Sequence, residues 1–415
     1  MKKVLVVGGG AAGLMAAHTA AAGGASVTLL EKMPAIGRKL LITGKGRCNI
    51  TNNCDLPTFI KNVPGNGQFL YSALNAFTNH DVMAFFEGLG VPVKQERGGR
   101  VFPVSDKARD VVDAFQRLLT ADQVTVKTGE PVEKILNQEG RVTGVQTIKG
   151  HTYEADAVIL ATGGASYPGT GSSGDGYRMA KNLGHTIVPL KPSLVPLEVE
   201  EDWIGEVQGL ALKNVSATVF YAGTKRVSDF GEMLFTHYGM SGPIILSLSN
   251  VVSELLQKKD HEEIFVEINL KPALTPEQLD KRLQRDFTKF ARKQFKNSLN
   301  ELLPSSLINP IIDLSYIDPD KPVNQITKEE RLRLTNLLQH LAFAITGTRP
   351  LAEAIVTAGG VHTKEIHPGR MESKLIRGLF LAGEVIDVDA YTGGFNLQAA
   401  FSTGFIAGQA AAQEY

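Results

Sequence analysis

The segment Gly8-Gly9-Gly10-Ala11-Ala12-Gly13 constrains this chain more than any other, because of what surrounds it. Val4 to Val7 is a wholly apolar run that reads as a buried strand, Ala11 to Ala22 as a small-residue helix, and Ser26 to Leu30 as a second strand. The glycines therefore occupy the strand-to-helix turn of a βαβ unit. In such a turn Gly8 permits the reversal, Gly10 lets backbone approach a pyrophosphate, and Gly13 lets the helix lie on the strand. The helix start at Ala11 and Ala12 offers N–H donors and the positive end of a dipole. Glu31, closing the second strand, is the carboxylate expected on a ribose diol, an acid that a ligand-free glycine turn would not need. A carboxylate at that place repels a 2′-phosphate, which leaves FAD or NAD as the dinucleotide.

The far end of the chain separates these two. Leu379 to Ala382 reads as a strand ending in Gly383 and Glu384, and Thr392-Gly393-Gly394-Phe395-Asn396-Leu397 opens a final small-residue helix running from about Asn396 to Ala412. An NAD dehydrogenase needs no such return, whereas an FAD site must also hold ribityl and isoalloxazine. Glu384 can fix the ribityl hydroxyls, although a capping or surface carboxylate is the plainer alternative. Gly394, Asn396 and Leu397 can aim a helix N-terminus at the flavin pyrimidine, where reduction deposits negative charge. FAD is thus the expected cofactor, held non-covalently, and no metal site is expected.

At 415 residues the chain exceeds the roughly 250 to 300 at which one hydrophobic core stops growing, so two or three units are expected. Further strands are expected at Val124 to Val126, Val132 to Leu136, Arg141 to Ile148 and Ala155 to Leu160, with helices at Asp81 to Leu89 and Ala108 to Leu119. From about Leu190 the texture becomes β-rich, with Val195 to Val199, Val215 to Tyr221 and Ile264 to Leu270 alternating and a helix near Pro243 to Lys258. Between Thr275 and Phe343 it turns helical and charged, with capping boxes at Thr275-Pro276-Glu277-Gln278 and Thr327-Lys328-Glu329-Glu330. The expected division is an FAD-binding domain from 1–189 and 357–415, a β-rich insert from 190–272 and 342–356, and a helical subdomain from 273–341.

Lysine plus arginine and aspartate plus glutamate both number 43, which argues against nucleic acid or an anionic membrane as main partner and leaves room for a local basic patch. The stretch Glu277 to Leu303, rich in lysine and arginine with Leu279, Leu283, Phe287, Phe290 and Phe295 interleaved, reads as one amphipathic helix with a solvated basic face. Cys48 and Cys54 are the only cysteines and read as a reduced pair, which with the absence of a long apolar run implies a cytoplasmic protein that does not span a membrane. Their spacing and asparagine-rich setting argue against a redox-active disulfide.

Gly8 to Gly13 with Glu31, Gly37-Arg38-Lys39 with Thr43-Gly44-Lys45-Gly46-Arg47-Cys48-Asn49-Ile50-Thr51-Asn52, Phe235 to Pro243, and Leu381 to Asp387 leading into Thr392 to Gln398 together resemble a bacterial family of three-domain flavoproteins. These are grouped as NAD(P)/FAD-dependent oxidoreductases and include an aminoacetone oxidase and a bile-acid dehydroreductase. The resemblance spans essentially the whole chain. It implies an α/β fold with a Rossmann-type FAD-binding domain split in sequence, a β-barrel-like insert and a helical insert. It also implies that Gly37 to Asn49 wraps the pyrophosphate and flavin edge. Within that segment Thr43, Gly44, Cys48 and Asn49 would be contact positions, and Arg38, Lys39 and Arg47 the polar side chains. Lys32 would join Glu31 at the ribose, Val132 would line the adenine, and Ala161-Thr162-Gly163 would pass beside the dinucleotide. Gly169 to Tyr177 resembles the corresponding block of fumarate-reductase-type flavoproteins and would shape the wall near the flavin, or form a glycine turn capped by Asp175.

Candidates for proton transfer are His237, on a segment where Ser241 would cap a helix, and Tyr391, directly before Thr392. A lone histidine is also a common structural hydrogen-bonder. The expected activity is two-electron transfer through FAD between a small organic substrate and NAD(P)H or oxygen. Amine oxidation by oxygen, and a non-catalytic flavin-bound partner of RNA or protein, stand as alternatives. No second glycine-rich βαβ unit is present, so NAD(P)H is expected to dock only transiently.

Overall fold

The computed structural model describes residues 1–258, 260 and 262–413. The chain forms two compact units, Met1–Ser193 with Leu351–Tyr415, and Leu194–Pro350.

The first unit is built on strands β1 (Lys3–Val7), β2 (Ser26–Glu31), β3 (Ala157–Leu160) and β4 (Leu379–Leu381), with helix α1 (Ala11–Ala22) between β1 and β2 and helix α2 (Phe395–Ala412) at the end. The four strands are parallel neighbours in the order β4, β3, β1, β2, and Thr125–Thr128 extends the β2 side. Short antiparallel strands Glu372–Ser373 and Ile366–His367 finish the β4 side. Every residue of β3 and β4 is buried, as sheets covered on both faces require.

Helix α1 is buried nearly all round, from Ala12 to Ala17 and again at Thr19 and Ala20. It lies against α2, and at two points backbone meets backbone. A Cβ on Gly404 would stand 2.3 Å from the Ala12 carbonyl oxygen, and one on Gly408 would stand 2.4 Å from that of Ala16. At the start of α1 a Cβ on Gly13 would meet the Gly8 carbonyl oxygen at 1.9 Å. Glycine costs a helix interior about 1 kcal/mol relative to alanine, and here it is the residue that lets the two helices and the turn close up.

In the second unit, six strands form a closed barrel in the order Leu197–Val199, Gly239–Ser241, Thr224–Thr236, Ala211–Tyr221, Ile264–Asn269 and Leu341–Thr348. Helices Pro276–Lys289, Ser305–Ser315 and Lys328–Gln339 share one apolar core with it, since Leu283, Phe295, Ile311 and Leu338 cluster with Val219, Phe235 and Phe343. The capping boxes at Thr275 and Thr327 form as the sequence indicates. Two local expectations are corrected, and one long strand carries no sequence expectation. The helix opened at Thr275 stops at Lys289 instead of running to Leu303, because the chain turns so that Phe295 can be buried. Ser241 lies in a barrel strand, and the cap of helix Pro243–Leu255 is Gly242. Thr224–Thr236, largely exposed along its first half, is a strand that pairs with Ala211–Tyr221 as a long hairpin.

Gly404→Ala tests the helix contact. Despite the better helix propensity of alanine, it is expected to lower stability by about 1–3 kcal/mol through overpacking, read as a fall in the urea midpoint. An unchanged or raised midpoint would show that α1 and α2 can move apart at no cost.

Candidate functional site

The carboxyl ends of the four parallel strands carry four of the segments singled out from the sequence. Gly8 to Gly13 follow β1, Glu31 closes β2, Ala161 to Gly163 follow β3, and Gly383 and Glu384 follow β4. In open parallel sheets ligands bind outside that edge. The Glu31 carboxylate is nearly buried and accepts hydrogen bonds from Gly9 N and Met33 N, both at 2.7 Å, so the acid is rigidly placed. Lys32 donates to Asp175 at 2.7 Å and to Ser173, which ties the Gly169 to Asp175 loop beside Glu31. Burial alone would raise the Asp175 carboxyl, but the Lys32 and Ser173 hydrogen bonds hold it below the usual range. Asp175 is the first residue of helix Asp175–Asn182 and not its cap, which is Gly174.

Lys39 reaches across to the β4 end, donating to Ser166 Oγ at 2.8 Å and to Glu384 Oε2 at 2.9 Å. Glu384 Oε1 accepts from Thr357 N at 2.8 Å and from Ser166 Oγ at 3.3 Å. Glu384 thus accepts three hydrogen bonds on roughly four lone-pair sites, so its free capacity for a ribityl hydroxyl is small. Neither Ser166 nor Thr357 carries a signal in the sequence; Thr357 also accepts from Ala165 N at 2.9 Å. Tyr177 donates to the Glu384 carbonyl oxygen at 3.1 Å, and burial, with the nearby Glu384 charge, pushes its phenol well above the ordinary value.

The segment Arg38 to Asn49 is more varied than its glycine-rich sequence suggests. Arg38 donates to the Gly169 carbonyl at 3.3 Å, and Thr43 Oγ1 to the Leu40 carbonyl at 2.7 Å, while Gly44 takes a left-handed conformation. Arg47 stacks on Phe102 at 4.1 Å and pairs with Glu96 and with Asp106. Its guanidinium is engaged by that network in this structure. Hydrogen bonds from Arg47 to Glu96, and from Lys94 and Arg47 to Asp106, hold both carboxyls below their usual range. Cys48 is fully buried, and burial pushes its thiol up to about 12, which removes thiolate chemistry. Val132 is buried at the start of strand Val132–Gln138.

Helix α2 starts at Gly394 with no side-chain cap, as α1 does at Gly10, so the first N–H groups of both helices are left to a ligand or solvent. Leu397 lies in that opening turn. The Asn396 side chain is committed elsewhere, accepting from Ala390 N at 2.9 Å and donating to the Ala390 carbonyl at 2.7 Å, so only its backbone remains to offer. Gln398, the last residue of the Thr392 block, is fully buried; it links α2 to Thr51 and the Phe77 carbonyl and donates to Ser402 one turn further along the same helix. Tyr391 is half-buried, with its N–H on the Asn62 carbonyl at 2.9 Å. His237 is exposed in the turn after Thr224–Thr236 of the second unit, edge-on to Tyr238.

Two buried polar atoms have no partner among the described residues of this unit, Asn49 Oδ1 and Thr162 Oγ1. Both lie on segments expected beside the dinucleotide. With two uncapped helix starts and the placed Glu31 carboxylate, the residues present fit a dinucleotide with an unphosphorylated ribose. No helix among the described residues is long and apolar enough to cross a membrane.

Sheet, glycine turn and acid define a dinucleotide-binding protein of the Rossmann class. Residues 2–410 match the family model described as HI0933-like protein Rossmann domain, and the chain belongs to that family. It is 33% identical to a 3-dehydro-bile acid delta(4,6)-reductase of Clostridium scindens, covering 100% of both chains. It is 31% identical to a ribosomal RNA dihydrouridine synthase of Haemophilus influenzae, over 97% of this chain and 96% of that one. Among solved structures it resembles the 3-ketosteroid delta1-dehydrogenase of Sterolibacterium denitrificans, with TM-score 0.57 at 13% identity, covering 99% of this chain and 100% of that one, a likeness of fold.

The buried thiol gives a pH prediction. A folded-state pKa above the unfolded one makes the neutral Cys48 thiol stabilising below about pH 8.5. That contribution is lost as pH rises toward about 12. At pH 8, iodoacetamide is expected to label Cys54 in the native protein and Cys48 only after unfolding. Labelling of Cys48 at a comparable rate in the folded state would contradict its burial.

Proposed function

We propose that the protein is an FAD-dependent oxidoreductase that reduces a carbon–carbon double bond conjugated to a carbonyl, with NAD(P)H as electron donor. The observation that carries the FAD reading is the convergence of Gly8 to Gly13, Glu31, Ala161 to Gly163 and Gly383–Glu384 at the carboxyl ends of four adjacent parallel strands. When bound, FAD accepts a hydride from one partner and gives it to another.

The chain's own residues hold and orient it. Gly8, Gly10, Ala11, Ala12 and Gly13 cradle the pyrophosphate with backbone N–H groups, and Glu31 takes the ribose diol. Asn49 and Thr162 supply the polar atoms left without partners, and the first turn of α2 from Gly394 to Leu397 offers N–H donors to the flavin. Lys39, Ser166 and Thr357 fix Glu384 against that end. Of the two proton-transfer candidates, Tyr391 belongs to the same unit as these segments and its loop is fixed by Asn396, while His237 is retained as the alternative.

The choice of reaction rests on the two relatives. By their names, one reduces double bonds of a 3-oxo bile acid and the other saturates the uridine ring. Both are additions of hydrogen across a bond conjugated to a carbonyl. The second relative supports a reading in which that bond belongs to a uracil base of RNA. A reducing cytoplasmic location belongs to the same proposal.

Purified protein is expected to be yellow and to release intact FAD on denaturation. Glu31→Ala is expected to weaken FAD binding by about 1–3 kcal/mol, the scale of lost charge-assisted hydrogen bonds, with the fold retained by circular dichroism. Unchanged affinity in an apoprotein titration would place the ribose elsewhere.

Because the one other G-x-G-x-x-G, Gly169 to Gly174, lacks a tight strand junction and a downstream ribose acid, donor and acceptor are expected to use one place in turn. Anaerobic mixing with NADH or NADPH should bleach the flavin, and a conjugated enone or a uridine-containing RNA should restore its colour in a separate half-reaction, giving ping-pong kinetics. A ternary complex in stopped flow would reveal a second nucleotide site. Bleaching by amines, with oxygen alone restoring the colour, would establish an oxidase instead.

A further inference from the structure

Seven cations, Lys281, Arg282, Arg285, Lys289, Arg292, Lys293 and Lys296, fall within sixteen residues of a chain whose net charge is zero, against Asp286 as the one acid in that stretch. Leu279, Leu283, Phe287 and Phe295 turn the apolar side into the core, and all the cations except Arg282 are exposed. Lys281, Arg285 and Lys289 follow one another at four-residue steps, about 6 Å of helix rise each, an arrangement of like charges that weakens a helix. Attraction to the helix C-terminus accounts for Lys289 and the cations beyond it, but not for Lys281 and Arg285, which precede the last turn.

Neighbouring acids neutralise only part of this charge. Arg282 and Arg285 share Asp286 at 3.5 and 3.7 Å, Lys289 pairs with Glu301 at 2.7 Å, and Lys296 with Asp320 at 2.6 Å. Among the described residues Lys281, Arg292 and Lys293 have no ion pair. The partly exposed Phe290 ring has two ammonium groups near it, Lys289 at 5.2 Å and Lys293 at 4.5 Å from its centroid.

We propose that this face, Lys281, Arg285, Lys289, Arg292 and Lys293 around Phe290, docks single-stranded RNA. The cations neutralise successive phosphates and the ring stacks on an unstacked base. Zero net charge over the whole chain removes long-range steering and leaves such a local patch intact. The proposal rests on the reading in which the reduced double bond is carried on RNA, and it is tested apart from that reaction.

The test is fluorescence anisotropy of a fluorescein-labelled, uridine-containing single-stranded RNA with the full-length FAD-loaded protein across a salt series. The wild type is compared with the variant Lys281→Gln, Arg285→Gln, Arg292→Gln, Lys293→Gln. The wild type is expected to bind with a steep salt dependence. The variant should bind at least about tenfold more weakly, with a log–log salt slope shallower by up to about 3, roughly 0.7 per lost contact on a single strand. Its FAD content and its rate of flavin bleaching by NAD(P)H should not change. Phe290→Leu should weaken binding without changing the slope. No binding by the wild type, equal binding by the variant, or equal competition by poly-glutamate at matched charge would overturn the proposal, the last by showing an acidic-protein site. RNA binding lost in the variant while neither protein reduces uridine would leave the docking face standing and sink the uridine reading.

Discussion

The first unit depends on backbone meeting backbone. Where Gly13 rests on the Gly8 carbonyl, and Gly404 and Gly408 on those of Ala12 and Ala16, no side chain separates the elements. Helix α1 is consequently held between the sheet and α2 with almost no exposed surface. The first turns of both helices are uncapped because glycine, with no side chain to offer, stands at each N-cap, Gly10 and Gly394. Open N–H groups from two distant parts of the chain thus belong to one unit.

Charge is handled differently on either side of this arrangement. Glu31 and Glu384 are each held by partners before any ligand arrives, one by the N–H groups of Gly9 and Met33, the other by Lys39, Ser166 and Thr357. Preorganised carboxylates of this kind need little reordering when a hydroxyl replaces water. The cations offered by the sequence for an anionic ligand are largely occupied. Arg47 belongs to Glu96 and Asp106, and Lys39 to Glu384. A pyrophosphate in this unit would therefore be met chiefly by peptide N–H groups, as helix starts and glycine turns allow.

Much of this was legible in the chain itself, for reasons that differ by segment. β1, α1 and β2 announce themselves because a buried parallel strand must be continuously apolar and a strand-to-helix turn this tight must be glycine. The capping boxes at Thr275 and Thr327 are local chemistry and form as written. Thr224–Thr236 hides because its outer half is exposed, and its strand character comes from the hairpin partner instead of from its own pattern. Ser166, Thr357 and Gln398 are ordinary residues in sequence and acquire meaning only from contacts as distant as Gln398 with Thr51. The pairing of Arg47 is hidden for the same reason, since its acids, Glu96 and Asp106, lie 49 and 59 residues further on.

The strand order has one more consequence, for how the chain is made. β3 lies between β1 and β4, yet β4 begins at Leu379, after the whole barrel unit has been synthesised. At ordinary translation rates of about 5–20 residues per second, β3 waits on the order of 10 to 40 s for that neighbour. During that interval an apolar strand edge stands unpaired while the barrel unit, whose strands and helices are contiguous from Leu194 to Pro350, can close on its own. The nascent first unit is therefore the natural client of a chaperone that shields bare sheet edges, and the finished barrel unit is not.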